Sequence, residues 1–300
     1  MATRRRTRGR SPVKPPLLEL GGTGPVLHLA LANGFPPATY EPLFVRLRDR
    51  FRIVCLSPRA LWVGGGPPPA EAGSWESLAD DLLAGWESHR LSPLVALGHS
   101  FGAVASLLAA VRSPASVAAL IMLDPTIMPR ELMSGYAAEL AAGRSPRLRL
   151  VDTALKRRSR FGSLQEAFEY WRGKDLFRDW PDQALERYAS AMLRPNPAGG
   201  WTLVWPPEWE AWYYRSFYPH TWDIVPQLAP AIPALVVGGE ASDTFVTRSS
   251  DELRKLMPGA TFATIPGAGH LFPQSHPAET RAVIEPWLAS IVRQPRLSVS

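Results

Sequence analysis

Cysteine is almost missing from this chain. Its 300 residues include one, Cys55, so no disulfide can form within it and a fold stapled by such bridges is excluded. The setting Arg52-Ile53-Val54-Cys55-Leu56 predicts a buried strand, in which the thiol acts as a small apolar group. Histidines are few and scattered, and no Cys/His spacing of the metal-binding kind occurs. The one dense glycine run, Gly64-Gly65-Gly66, leads into Pro67-Pro68-Pro69 and matches no phosphate-cradling loop. No metal and no cofactor are therefore expected. No apolar run is long enough to cross a bilayer, and the basic N-terminus leads into Ser11-Pro12-Val13-Lys14-Pro15-Pro16 where a secretory signal would be apolar. The expectation is a soluble, cytoplasmic protein with no membrane partner.

Acidic residues are absent before Glu19, while Arg4, Arg5, Arg6, Arg8, Arg10 and Lys14 precede it. Those six account for the whole formal charge of +6, so the remainder is neutral. Basicity confined to a short arm gives no basic face, and no nucleic-acid partner is expected. Residues 1–16 read as a disordered tail, and 294–300 as a second, C-terminal one.

What is present is an alternation of strand-like and helix-like runs. Val26–Ala32, Phe51–Leu56, Leu94–Gly98 and Val117–Leu123 are short and apolar. Helical patterns over about Thr39–Arg50 and after Ser74 fall between them, the second with Trp75, Leu78, Ala79, Leu82, Leu83 and Trp86 at three- and four-residue spacing. Such alternation predicts an α/β fold, a parallel sheet with helices on both faces. From about residue 127 to 230 the runs turn helical, with no convincing strand, and seven of the eleven tryptophans gather there. Strand Ala234–Val237, helix Thr247–Met257, strand Thr261–Ile265 and helix Pro277–Ile291 then resume the earlier rhythm. This predicts one core of residues 17–126 and 231–293, interrupted by a mostly helical insertion at 127–230.

Gly98-His99-Ser100-Phe101-Gly102 stands between an apolar strand and a helix-like run, the context in which G-x-S-x-G presents a serine nucleophile on a strained turn. The helix that follows directs free amides toward developing negative charge. A serine hydroxyl is a poor nucleophile until a base removes its proton, and in a parallel sheet the partners follow strand ends. His270 does, closing Pro266-Gly267-Ala268-Gly269-His270 after an apolar run. His28, His89, His99, His220 and His276 are placed less well, in a strand, at a helix end, in the elbow, in the insertion and at a helix start. A carboxylate to orient the imidazole is available as Asp243, beyond the Ala234–Val237 strand. Glu240 in the same loop and Asp124 at the end of Val117–Leu123 compete, and Asp243 is preferred.

On these residues the chain resembles an α/β-hydrolase with a helical cap, over about residues 17–293. The order Ser100, Asp243, His270 is the order of that family. The resemblance implies that the Phe101 amide is one donor of an oxyanion hole. The stretch Asn33-Gly34-Phe35-Pro36 would then supply the second through Phe35, with Gly34 in its turn, although Asn33 stands where the family often has histidine. It also implies a cofactor-independent serine hydrolase, acting on small to medium esters whose apolar groups meet the aromatics around Trp201–Tyr214. Carbon–carbon bond hydrolysis, amide hydrolysis and cyanohydrin cleavage use the same three side chains, and a receptor with a vestigial triad is the non-enzymatic alternative.

Overall fold

The computed structural model describes residues 14–64, 66–71, 73–144 and 149–292. Most of the expected N-terminal tail and all of the C-terminal one lie outside those residues. Residues 14–16 belong with the body instead: Pro15 is buried and its carbonyl accepts from His89 Nε2 at 2.8 Å, while the Pro16 carbonyl accepts from the Ser57 amide at 2.9 Å.

Five strands precede the insertion: β1 (Leu17–Gly21), β2 (Val26–Ala30), β3 (Arg52–Leu56), β4 (Leu94–His99) and β5 (Val117–Leu123). Three short ones lie within it, β6 (Arg160–Phe161), β7 (Leu193–Pro195) and β8 (Trp201–Leu203). Two follow, β9 (Ala234–Gly239) and β10 (Thr261–Ile265). The main sheet has seven strands in the order β1-β3-β2-β4-β5-β9-β10, parallel throughout except for β1, which runs antiparallel on the edge. β4, β5 and β9 are buried along their whole length. Helices cover both faces, which is why these strands read as unbroken apolar runs. Parallel pairing brings the carboxyl ends of β2, β4, β5, β9 and β10 to one side, where a ligand is expected to sit.

Two expectations differ in detail. The stretch expected to be one helix from Thr39 to Arg50 is broken into a 3-10 turn at Pro37–Tyr40, an α turn at Glu41–Phe44 and a second 3-10 turn at Leu47–Asp49. The insertion is mostly helical, but β6, β8 and β7 pair in it as a small antiparallel sheet, each strand being too short to show a period in sequence.

The aromatics of the insertion form its core. Trp171, Phe177 and Trp180 surround Tyr188, with ring centroids 5.0, 4.8 and 6.1 Å away. A second group fastens the insertion to the body. Trp209 Nε1 donates to the Gly66 carbonyl and Trp212 Nε1 to that of Glu71, each at 3.0 Å, and Trp75 Nε1 donates to the Tyr213 carbonyl at 2.9 Å. Gly66 and Glu71 of the glycine- and proline-rich stretch are thus held by indoles of the helix Pro207–Arg215.

The helix Phe101–Arg112 packs onto β2 so closely that a Cβ at Gly102 would lie 2.5 Å from the carbonyl oxygens of both Ala30 and Leu31. Backbone, unlike a flexible side chain, cannot yield cheaply. Gly102→Ala is expected to lower stability by about 1–3 kcal/mol in urea unfolding, because helix or strand must shift; an unchanged midpoint would contradict this packing.

Candidate active site

Ser100 occupies the turn between β4 and its helix at φ 59 and ψ −124, a conformation that costs energy in a residue with a Cβ. The turn is tight because Gly98 carries no side chain: a Cβ there would lie 2.4 Å from the Gly102 carbonyl oxygen. The Ser100 amide donates to the Leu123 carbonyl at 3.0 Å, anchoring the elbow to the end of β5.

His270 follows β10 and meets the serine, Nε2 to Oγ at 2.9 Å. Its Nδ1 lies 2.6 Å from Asp124 Oδ1. Since a carboxylate only accepts, Nδ1 carries the proton and Nε2 is left to accept from Ser100. Asp124 ends β5 at φ 39 and is fully buried. Two further donors hold it: the Gly239 amide at 2.8 Å on Oδ2 and the Ser242 hydroxyl at 2.6 Å on Oδ1.

The preference for Asp243 is therefore corrected. Asp243 is exposed, and its carboxylate accepts from Thr244 Oγ1 at 3.1 Å. Glu240 is likewise exposed and accepts from the Gly267 amide at 2.7 Å, closing the loop that leads to His270. The physical reason lies in the loop after β9. Its Gly239 amide and Ser242 hydroxyl point at Asp124, so this loop brings donors to that carboxylate and no carboxylate to His270. Asp124, the weaker candidate from sequence, stands against the imidazole.

The two expected oxyanion donors fare differently. Phe101 is the first residue of its helix, so its N–H has no partner within that helix. The Phe35 amide instead donates to the Ala32 carbonyl at 3.2 Å, across a turn that Gly34 closes at φ 80. It is engaged, contrary to expectation, because the turn aims it back at its own strand. Asn33, at the position of the departure, gives a bond from Nδ2 to the Glu210 carbonyl at 2.9 Å and so ties this turn to the insertion.

Several contributors are not evident in the sequence. Thr126 Oγ1 lies 3.1 Å from Ser100 Oγ, and with the serine proton directed at His270 the threonine hydroxyl is the donor. His99, passed over as a mere elbow residue, bonds through Nε2 to the His270 carbonyl at 3.0 Å and through Nδ1 to Tyr40 Oη at 2.8 Å. The carbonyl fixes the proton on Nε2, so Tyr40 donates to Nδ1 and in turn accepts from the Ala32 amide at 2.9 Å. This buried chain joins the turn at Gly34 to His270. Burial, then the neighbouring His270, holds the His99 pKa well below the usual histidine value.

Above the elbow lies the helix Pro207–Arg215. Tyr213 packs on Phe101 with ring centroids 5.3 Å apart, and Phe35 packs on Tyr188 at 5.3 Å. Beside Gly34, Arg157 Nη1 donates to Glu210 Oε2 at 2.6 Å, and Nη2 donates to the Tyr188 hydroxyl. Burial opposes the Arg157 charge, but Tyr188 and Glu210 carry its pKa above the ordinary arginine value. Burial, and then Glu210, raises that of Tyr214. Among the described residues no group of three His, Cys, Asp or Glu is placed to hold a metal ion, and no helix is long and apolar enough to cross a membrane.

A neutral, doubly bonded His99 gives a direct expectation. In an NMR titration from about pH 8 to about pH 5, its ring resonances stay constant, whereas an ordinary exposed histidine titrates in that range. Movement of the His99 signals there would show that the ring is neither buried nor bonded as described.

Comparison with known proteins agrees with this architecture. A 2-(acetamidomethylene)succinate hydrolase of Mesorhizobium japonicum is 24% identical over 266 residues, spanning 88% of this chain and 87% of that one. The lipase LipV of Mycobacterium tuberculosis is 32% identical over 225 residues, spanning 73% and 78%. The crystal structure of E-2-(acetamidomethylene)succinate hydrolase superposes with a TM-score of 0.73 at 22% identity, over 91% of this chain and 94% of that one. The model of the alpha/beta hydrolase family matches residues 29–283, and the chain belongs to that family.

Proposed function

We propose that this protein is a serine hydrolase of carboxylic esters, with Ser100 as nucleophile, His270 as base and Asp124 as the acid that orients it. The observation that carries this reading is the continuous path from Asp124 Oδ1 through Nδ1 and Nε2 of His270 to Ser100 Oγ, at 2.6 and 2.9 Å. Distances of that size permit proton transfer without rearrangement.

Ser100 Oγ attacks the carbonyl carbon as its proton passes to His270 Nε2. The resulting imidazolium is stabilised by Asp124, whose carboxylate is held in place by the Gly239 amide and the Ser242 hydroxyl. The Phe101 amide and the start of its helix receive the oxyanion. The Phe35 amide joins them only if the turn releases its bond to Ala32. Nε2 then protonates the departing alkoxide, and a water activated by the same nitrogen frees the acyl group from Ser100. Thr126, donating to Oγ, favours the alkoxide-like form at each stage. These steps use the chain's own groups, with a small molecule as the only partner.

The same machinery cleaves amides, and one relative is named for an acetamido substrate while another is named a lipase. The bond class is read by pairing p-nitrophenyl acetate, butyrate and octanoate with the matching anilides. Ser100→Ala is expected to lower ester turnover by up to about a millionfold. Asp124→Asn is expected to lower it by about ten-thousandfold, since the imidazole loses its tautomer and its orientation. Asp243→Asn leaves it unchanged. Full activity in Asp124→Asn, or loss in Asp243→Asn, would remove Asp124 from this role. Retained turnover in Ser100→Ala would remove the whole mechanism.

A further inference from the structure

Building an ion pair away from water is expensive, and well-packed apolar residues often serve stability as well. The pair Arg157–Glu210 is nonetheless largely withdrawn from solvent, with side-chain exposures of 16% and 11%. It also sits at a telling place. A Cβ at Gly34 would lie 3.4 Å from both Arg157 Nη1 and the Glu210 carboxyl carbon, so the pair abuts the oxyanion turn where a side chain is missing. The helix that carries Glu210 spans the site, meeting Asn33 through the Glu210 carbonyl and Phe101 through Tyr213. On the ester-hydrolase reading, a substrate acylating Ser100 would have one side of its acyl group toward this helix.

The balance of hydrogen-bonding groups there is lopsided. A guanidinium has five N–H groups, and Arg157 uses two of them, on Glu210 and Tyr188. The other three have no acceptor among the described residues. Tyr188, having accepted, keeps its own proton to give. In charge, by contrast, the cluster is balanced, because Glu210 neutralises Arg157. A surplus of donors with no net charge suits a neutral acceptor. An alkyl chain leaves the donors unmatched, and a carboxylate meets Glu210 as a like charge in a poorly hydrated space.

We propose that Arg157, held by Glu210 and Tyr188, is a specificity-determining subsite for a neutral oxygen acceptor, a ketone or amide carbonyl, in the acyl part of the substrate. The inference deepens the ester-hydrolase reading and rests on it for the placement of the acyl group. It replaces the wholly apolar acyl pocket expected from the aromatic content with one that is apolar on the Phe101 side and donor-rich on the Gly34 side.

Three methyl esters of nearly equal length separate the cases: pentanoate, 4-oxopentanoate and monomethyl succinate, followed by acid release at constant pH. The wild type is expected to favour 4-oxopentanoate over pentanoate in kcat/KM by on the order of tenfold, with monomethyl succinate slowest. Arg157→Met removes the donors and is expected to bring the first ratio to about one. Arg157→Lys keeps the charge beside Glu210 but loses the fork, and is expected to lower the ratio in a variant whose ion pair, and hence fold, is preserved. Preference for monomethyl succinate would overturn the proposal in favour of an anion site. Equal rates on the two neutral esters, unaltered in either variant, would make the pair purely structural. Binding to Ser100→Ala, measured by calorimetry with N-methyl-4-oxopentanamide and N-methylpentanamide, keeps the two readings apart. If no ester is turned over yet the oxo compound binds more tightly and loses that advantage on Arg157→Met, the hydrolase reading fails and the subsite stands. Equal binding of the two amides overturns the subsite whatever the turnover.

Discussion

A single buried carboxyl group governs the arrangement of this site. Asp124 has no exposure at all, and a carboxyl group in such a place is costly unless it is hydrogen-bonded. It is kept useful by donors drawn from the two strands beyond its own. β9 brings the Gly239 amide, its loop brings the Ser242 hydroxyl, and the loop after β10 brings the His270 ring. Each of these must be in place for the others to be worth their positions. The requirement reaches into the sheet, where the Asp124 amide bonds to the Val237 carbonyl at 2.7 Å and the Ser100 amide to that of Leu123. Ser100, Asp124 and His270 thus hang from neighbouring carboxyl ends of β4, β5 and β10, with β9 supplying donors between them.

On the other flank, order comes through neutral groups. Tyr40 and His99 pass hydrogen bonds from the Ala32 amide to the His270 carbonyl, linking the Gly34 turn to His270 without adding charge. A charged ring at His99 would need to surrender the Tyr40 bond, since both its nitrogens would then donate. The low proton affinity that burial imposes on His99 is therefore what keeps this link intact beside the His270 imidazole.

How much of this was legible in the residues depends on how local the governing constraint is. The elbow could be read because Gly98, Ser100 and Gly102 are neighbours in sequence, each tied to its place by close backbone. The central strands could be read because both their faces are covered, which leaves unbroken apolar runs. The place of His270 beyond a strand end could be read because Gly267 and Gly269 mark its loop. Which carboxylate meets His270 could not, since Asp124, Asp243 and Glu240 all follow strands, and the choice among them turns on where the loop after β9 aims an amide and a hydroxyl. That is a matter of relations across three strands. Thr126, Tyr40 and Arg157 left no mark either, being ordinary residue types that matter only through what they meet far along the chain. β1 escaped notice because an edge strand with an exposed middle lacks the pattern of its buried fellows.

The indole bonds of Trp209 and Trp212 to the loop containing Gly66 and Glu71 bear on modularity. An insertion in a loop between two strands looks like something that could be excised or exchanged to give a minimal enzyme. Here it cannot be treated so. Removing it would bare Phe35 and Phe101, unfasten the proline-rich segment, and take away the carbonyl that Asn33 requires. Core and insertion have become one object through shared hydrogen bonds, and the natural unit for transplanting a new specificity into this scaffold is the side chain, not the segment.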